Sequence, residues 1–319
     1  MIAINYFSNS RLNFFDIIFY FLNKIKEENK YKIFINILTV EKDVEFFKEK
    51  TKALNLPINI IPFKDGFNYT EKLNFSINTN SKFSIKLDED CIVNNYIWDY
   101  MIENTDILLD DNNLLVSPLL STTIPATDEF INGFLNEDDR NEIHDYFLKQ
   151  QMPNGLFGVN YEPLNEFTIN SENWDYKKYL NGLSKLNTET KGMHPMRISY
   201  NAQTRINEMI LENYEKIINK NDYSLFEIDS PYFTNNLFLI RTNVWKHIID
   251  SNGGVYDEIP ITQYRNSLNK RYLFIRNGYS IHSMYNTIYG SKNPWGIGGV
   301  DSESKEIEFV NKFSKKVIK

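Results

Sequence analysis

Asp88, Glu89 and Asp90 stand together in the stretch FSIKLDEDCIV, residues 83–93, and no other run in the chain is better suited to chemistry. Phe83, Ile85 and Leu87 alternate with Ser84 and Lys86, the two-residue period of a strand, and the strand runs straight into the acids. With that period Asp88 and Asp90 share a side. Two carboxylates offered from one side of a strand end make a poor core and a good seat for a hard divalent cation, because oxygen ligands and retained water suit Mg²⁺ or Mn²⁺. Three neighbouring acids also repel one another unless a positive charge is close. A solvated acidic turn is the plain alternative.

The elements that must position these acids are legible upstream. Ile2–Phe7 has the pattern of a first strand, and Ser8, Asn9 and Ser10 form a polar turn able to cap a helix over Leu12–Glu28. Tyr31–Thr39 and Ile58–Phe63 predict two more strands, with helices over Asp43–Leu54 and Phe67–Asn80 between them and the acidic strand. Strands alternating with helices at this spacing predict βαβ units and an α/β fold with a mostly parallel central sheet flanked by helices. Ligands of such sheets sit beyond the carboxyl ends of the strands, where Tyr6–Asn9 would meet Asp88–Asp90. A helix over Tyr96–Glu103 and a strand over Leu114–Leu120 follow, and from 121 to about 220 the rhythm stops. That long, largely helical or irregular insertion predicts a lid, an acceptor platform or an oligomer contact.

Composition bounds the possibilities. The chain has 319 residues, 42% of them hydrophobic, enough for one elaborated α/β domain or two domains. A net charge of -7 and a pI near 5.3 argue against broad nonspecific binding to nucleic acid and leave room only for a local basic groove. Cys91 is the single cysteine, so no intramolecular disulfide is possible, and a packed core thiol is the simpler reading of it than a nucleophile. Met1 is followed by IAINYF without the pattern of a signal peptide, and the apolar run Phe14–Leu22 contains Asp16 and is too short to span a bilayer. These features predict a soluble, cytoplasmic protein with no transmembrane segment.

The acidic element, placed after a buried-looking strand and three earlier β segments, resembles the Asp-x-Asp motif of the GT-A glycosyltransferases, enzymes with a nucleotide-diphosphosugar-binding, Rossmann-like α/β fold. In that family the acids hold a metal that bridges the donor phosphates, which implies Asp88 and Asp90 as ligands of Mn²⁺ or Mg²⁺ and a nucleotide-diphosphate sugar as donor. The resemblance extends to Lys72 and Asn74 on the helix before the acidic strand, matching a basic residue and an asparagine of donor-binding halves. It also implies Tyr6 and Ser8 as contacts to base and ribose, where a ring can stack and a hydroxyl can bond. An ordinary strand end and a solvated lysine are the plain alternatives.

Further along, SPYFTNNLFLIRTNVWKHIIDSNGGVYDE, residues 230–258, is similar to the acceptor half of inverting members: a strand over Asn236–Arg241, a helix from Thr242 through Ile249, a glycine break, then Asp257 and Glu258. The resemblance implies Asp257 or Glu258 as the base that takes the acceptor proton. A helix-start role is the alternative for both. Where many members then carry an acidic pair, this chain has Ile261, Thr262, Gln263 and Tyr264, so Asp229 or a retaining mechanism stays open. Asn277-Gly278 predicts a hairpin turn between strands over Arg271–Arg276 and Tyr279–Met284. The loop YNTIYGSKNPWGIGG after it is similar to a family closing loop, which implies His282 as third metal ligand and Lys292 on the leaving diphosphate.

In the insertion, His194, Arg197 and Arg205, with Tyr200 and Gln203, could grip a sugar or phosphate-bearing acceptor or form salt bridges between elements. The expected organisation is a donor half over 1–120, the insertion over 121–220, an acceptor half and closing loop over 221–300, and a peripheral charged helix over 301–319. The implied activity is metal-dependent sugar transfer, inverting by preference, to an acceptor hydroxyl of a glycan. The first alternative is transfer to hydroxylated bases of modified DNA. A sugar nucleotidyltransferase would need a glycine-rich loop after the first strand, and NYFSNSRLN has no glycine. A cation-stabilised binding module would explain the acids but not the closing loop.

Overall fold

The computed structural model describes residues 1–26, 29–64, 68–120, 133–142, 200–227, 235–253, 257–282 and 302–318. Among the described residues nine strands form the sheet: β1 (Ile2–Phe7), β2 (Ile33–Val40), β3 (Ile58–Phe63), β4 (Phe83–Asp88), β5 (Cys91–Ile92), β6 (Asn113–Leu120), β7 (Ser224–Glu227), β8 (Leu237–Arg241) and β9 (Arg271–His282). Their order is β3-β2-β1-β4-β8-β6-β9-β5, with β7 also paired to β9. β1 to β4 are parallel, β8 runs against β4 and β6, and β6 is parallel to β9. Six of the nine strands therefore point one way, and the acidic strand β4 lies in the middle of the sheet between β1 and β8. The expected donor and acceptor halves share this one sheet.

The central parallel strands β1, β2 and β4 are mostly apolar and buried on both faces, as strands covered by helices on each side tend to be. β1 reads IAINYF and is buried throughout, and so are Phe83–Leu87 of β4, Ser84 and Lys86 included. One face is covered by α3 (Tyr69–Ile77), α7 (Thr242–Ser251) and α8 (Glu258–Leu268). The other carries α1 (Phe15–Leu22), α2 (Val44–Lys50), α4 (Asn95–Glu103), α5 (Tyr200–Glu212), α6 (Tyr214–Asn219) and α9 (Ser302–Val317). At the outer edge β3 is half-exposed and carries Pro62, whose missing N–H blunts an open edge.

Three expectations need correction. The helix expected over Leu12–Glu28 opens as a 3₁₀ turn and is α-helical only from Phe15 to Leu22. Its polar lead-in does not cap it, because Ser8, Asn9 and Ser10 bond to acids elsewhere. Second, α9 is not peripheral: Glu306, Phe309, Val310 and Phe313 are buried, Phe313 packs on Tyr214 with ring centroids 5.5 Å apart, and the Tyr20 hydroxyl donates to the Val317 carbonyl. Third, Asn277-Gly278 makes no hairpin. β9 continues through it to His282 as a bulged strand, in which Ile275 pairs with Pro118 and the next ladder pair is Leu119 with Tyr279. The break falls where β9 changes partner on one edge, from β7 along Leu273–Arg276 to β5 along Ile281–His282, while β6 continues along the other. Ladder partners on both sides of the kink keep the chain from reversing. Asn277 takes φ 60° there and its amide donates to Asp222 Oδ1 at 2.9 Å.

Gly278 is required by close approach: a Cβ there would lie 2.7 Å from Ile275 Cγ2 and 3.2 Å from the Ile275 carbonyl oxygen. Gly278→Ala is expected to cost about 1–3 kcal/mol, the range of overpacked core substitutions, measured by chemical denaturation; wild-type stability would show that the bulge relaxes freely.

Candidate functional site

The site is assembled at the carboxyl end of β4 from several distant pieces of chain. β4 delivers Asp88, and the turn after it delivers Glu89 and Asp90 before the chain pairs into β5. Cys91 of β5 is opposite His282 of β9 in the antiparallel ladder, which puts His282 Nε2 3.2 Å from Asp90 Oδ2. Asn236, just before β8, bridges the pair: its Nδ2 is 3.0 Å from Asp88 Oδ2 and 2.9 Å from His282 Nε2. One nitrogen cannot donate to Asp90 and accept from Asn236 at once, so Nε2 has two competing partners. Asn207 of α5 holds the His282 carbonyl at 3.2 Å.

Each acid has a different environment. Glu89 turns back to the loop after β1, where its Oε2 accepts from Ser8 Oγ at 3.0 Å, Asn9 N at 2.7 Å and Arg11 N at 3.0 Å. Desolvation outweighs these donors and lifts Glu89 to about 7. Asp90 is also desolvated, but His282 and Arg11 overcome that and hold it below the usual carboxylate range. The Arg11 guanidinium bonds Asp90 Oδ2 through Nη1 and Glu306 Oε2 of α9 through Nη2. Asp88 is pushed up by desolvation and by Asp90, against the pull of Lys86.

Lys86 lies beneath the acids and is fully buried. Its Nζ donates to the Asn235 carbonyl at 2.7 Å and sits 3.0 Å from Asp88 Oδ1, 3.9 Å from Asp257 Oδ2 and about over the rings of Phe7 and Tyr69. Burial pulls its pKa down, yet Asp88 and Asp257 prevail and keep it above the ordinary lysine value. Asp257, 1% exposed at the start of α8, thereby joins the same charge cluster. The Tyr69 hydroxyl is raised by burial and by the charge of Asp257.

The residues predicted from sequence divide accordingly. Asp88, Asp90 and His282 come together. Tyr6 does not reach the site: its ring is fully buried against Phe19 and Phe47, with centroids 5.4 and 6.2 Å away, and is a core residue with no face for a base. Ser8 is buried and its hydroxyl is committed to Glu89. Lys72 is at the site but braces the β1 loop, donating to the Ser8 carbonyl and Asn9 Oδ1, both at 2.6 Å. Asn74 is exposed, because residues two apart on a helix face opposite ways and Lys72 takes the inner side. Arg205 is the salt-bridge alternative, spent on Glu142 and Glu212 at 3.0 Å each, with Glu208 and Asp139 beyond. Asp257 is buried and Glu258 half-buried in the first turn of α8. Lys292, His194, Arg197 and Asp229 lie outside the described residues.

Sequence reasoning passed over Arg11, Lys86, Asn236 and Glu306. Only Lys86 left a signal there, as a charge in a strand that the surrounding pattern makes central. Among the described residues no three His, Cys, Asp or Glu side chains surround a single point as a ready coordination sphere. The donor types at the β4 exit, two carboxylates and an imidazole, nevertheless suit a divalent cation, and Arg11 and Asn236 are what stand between them.

No family model matches the sequence, and no curated protein matches it. Among solved structures, the chain is similar to the mannosyltransferase PcManGT from Pyrobaculum calidifontis in complex with GDP-Man and Mn²⁺, at 8% identity and TM-score 0.44, covering 88% of this chain and 56% of that one. It is similar to GalNAc-T7 with UDP, GalNAc and Mn²⁺ at 11% identity and TM-score 0.48, covering 88% and 43%. A third similarity is to S. aureus TarS 1-349 in complex with UDP-GlcNAc, at 10% identity and TM-score 0.27, covering 67% and 72%. The chain spans about half the length of the first two.

Two measurements probe the electrostatics. Lys86→Met leaves Asp88 and Asp257 without their shared cation and is expected to cost about 3–5 kcal/mol in chemical denaturation, part of it recovered by adding Asp257→Asn. Lys72 is lowered to about 8, chiefly by desolvation, with Glu89, Asp88 and Asp43 opposing. The folded chain thus binds that proton more weakly than the unfolded chain, so stability should rise as pH climbs from about 8 toward the ordinary lysine value of 10.5. Lys72→Met should lack this rise; a profile parallel to wild type would contradict the assignment.

Proposed function

We propose that this chain is a divalent-cation-dependent glycosyltransferase that moves a sugar from a nucleotide-diphosphate sugar to a hydroxyl of a glycan. The observation that carries the reading is the meeting of Asp88, Asp90 and His282 at the carboxyl end of the central strand β4, beside the loop after β1. Open α/β sheets bind ligands at that edge. Asp88, Asp90 and His282 would hold the cation, with the imidazole nitrogen favouring Mn²⁺ over the harder Mg²⁺. When bound, the cation supplies neutralisation of the charge that develops on the departing diphosphate.

The chain's own residues prepare this chemistry. His282 and Arg11 keep Asp90 ionised, and Lys86 supports the charge on Asp88. Glu89 fixes the loop Ser8–Arg11 against the acidic turn, so the donor edge is held by three bonds to one carboxylate oxygen. Lys72 stands behind the same loop as a buried positive charge. Of the two candidate bases, Asp257 is enclosed with Lys86, whereas Glu258 has open surface and is the one able to meet an acceptor hydroxyl. The donor-binding edge distinguishes this reading from a sugar nucleotidyltransferase, since the loop after β1 has no glycine to wrap a triphosphate.

The test is a thermal-shift screen of nucleoside diphosphates with and without Mn²⁺, followed by donor hydrolysis and transfer assays on the donor that raises the melting temperature. Asp88→Asn and Asp90→Asn are each expected to lower turnover about 100-fold or more, about 2.7 kcal/mol of transition-state stabilisation, and to abolish the Mn²⁺-dependent shift. Full turnover in the double variant would end the proposal. Glu258→Gln should lower transfer to the acceptor while leaving the shift intact.

A further inference from the structure

Asp90, a carboxylate that a divalent cation would use, is already held by a cation of the chain. Asp90 Oδ2 is bonded by Arg11 Nη1, and the same oxygen lies 3.2 Å from His282 Nε2. Arg11 is not a loose surface arginine. Its backbone N–H is fastened to Glu89, its guanidinium carbon lies 5.3 Å from the centroid of the Phe14 ring, and its second nitrogen bonds Glu306, a buried carboxylate from α9. Arg11 therefore spans two acids that are 216 positions apart in sequence, one at the site and one on the C-terminal helix.

We infer that Arg11 is an internal counter-cation that divalent-ion binding displaces from Asp90, and that Glu306, by retaining Arg11 after displacement, makes α9 part of what sets the site's ion affinity. The inference rests on the metal-site reading of Asp88, Asp90 and His282. A divalent ion and a guanidinium on one desolvated carboxylate repel each other strongly, and the divalent ion has twice the charge of the guanidinium. Displacement of an arginine from a buried carboxylate is normally prohibitive, because a bare charge is left behind. Here neither partner is stranded: Asp90 passes to the ion, and Arg11 keeps Glu306. The arrangement also accounts for an acid at position 306 on a helix face that otherwise packs Phe309, Val310 and Phe313 into the core.

The test uses the full chain and Mn²⁺ alone, with free Mn²⁺ followed by electron paramagnetic resonance. Arg11→Gln paired with Glu306→Gln removes one positive and one negative charge together, so the net local charge matches wild type and only the occupant is gone. That double variant is expected to bind Mn²⁺ about tenfold more tightly than wild type, about 1.4 kcal/mol. Glu306→Gln alone removes the carboxylate that would keep Arg11 after displacement and should bind Mn²⁺ several-fold more weakly. A double variant that binds equally or less tightly overturns the inference. Should the double variant not fold by circular dichroism, the single variant decides, and unchanged or tighter binding by it overturns the inference as well. In wild type, Mn²⁺ should also change amide exchange in residues 302–310; a change confined to 88–92 and 281–282 counts against coupling. The two readings fail differently: wild type and Asp90→Asn binding Mn²⁺ alike sinks the metal site itself, while an Asp90-dependent site indifferent to Arg11 sinks only the displacement.

Discussion

Four carboxylates drawn out of water at one end of one strand are the constraint on which this structure turns. Asp88, Glu89, Asp90 and Asp257 are all at or below the protein surface around the β4 exit, and an uncompensated charge there would cost several kcal/mol. Two of the cations that answer these carboxylates, Lys86 and Arg11, are placed by different means. Lys86 reaches Asp88 from below because residues two apart on a strand share a face, and because β4 is central its side chain has no route to solvent. Arg11 comes from the loop after β1, which is aligned with β4 by their parallel register. Glu89 is the exception: its hydrogen-bond donors are the neutral Ser8 hydroxyl and two backbone N–H groups, and desolvation lifts it to about 7 against them.

Order in the sheet follows from the same requirement. For Arg11 to meet Asp90 the loop after β1 must end beside the turn after β4, and the pairing of Phe7 with Asp88 does this. For His282 to meet Asp90, β9 must run past β6 far enough to pair with β5, and the bulge at Asn277-Gly278 is where the strand releases β7 and turns onto that second partner. A plain strand would carry the ladder to β7 onward, and a hairpin would return His282 toward the opposite end. The bulge thus directs the imidazole to the acids, a common use of such irregularities beside functional sites.

This explains which parts of the molecule could be read in advance. β1, β3, β4, β6 and α4 have bounds within a residue or two of those expected, because each is a short apolar or capped segment whose signal is local. Asn94, for example, announces α4 by accepting from the Ile97 N–H. What failed was decided by partners far off in the chain. Asn277-Gly278 has hairpin chemistry and becomes a bulge because β6 and β5 hold the far side. Tyr6 sits at a strand end and becomes core because Phe19 and Phe47 close over it. The acids and His282 were legible by residue type, whereas Arg11 and Glu306 have no motif: their meaning comes from a contact between the first loop and the last helix.

Asp88 and Asp90 look equivalent in sequence and are not equivalent in the fold. Asp90 faces an arginine and an imidazole and is held ionised against its own burial, while Asp88 faces a single lysine that it shares with Asp257, and desolvation wins. A cation arriving between them would therefore act on them differently. Toward Asp90 it must compete with positive charge already present, and toward Asp88 it supplies charge that is short. The first acid would govern how selectively an ion enters and the second how much is gained when it does, because the favourable change in electrostatic energy is largest where compensation was least complete. The asymmetry is set two residues upstream by Lys86 and, in the loop after β1, by the choice of Arg11 over a neutral side chain, so the charge balance of the acidic turn is written mainly in residues outside it.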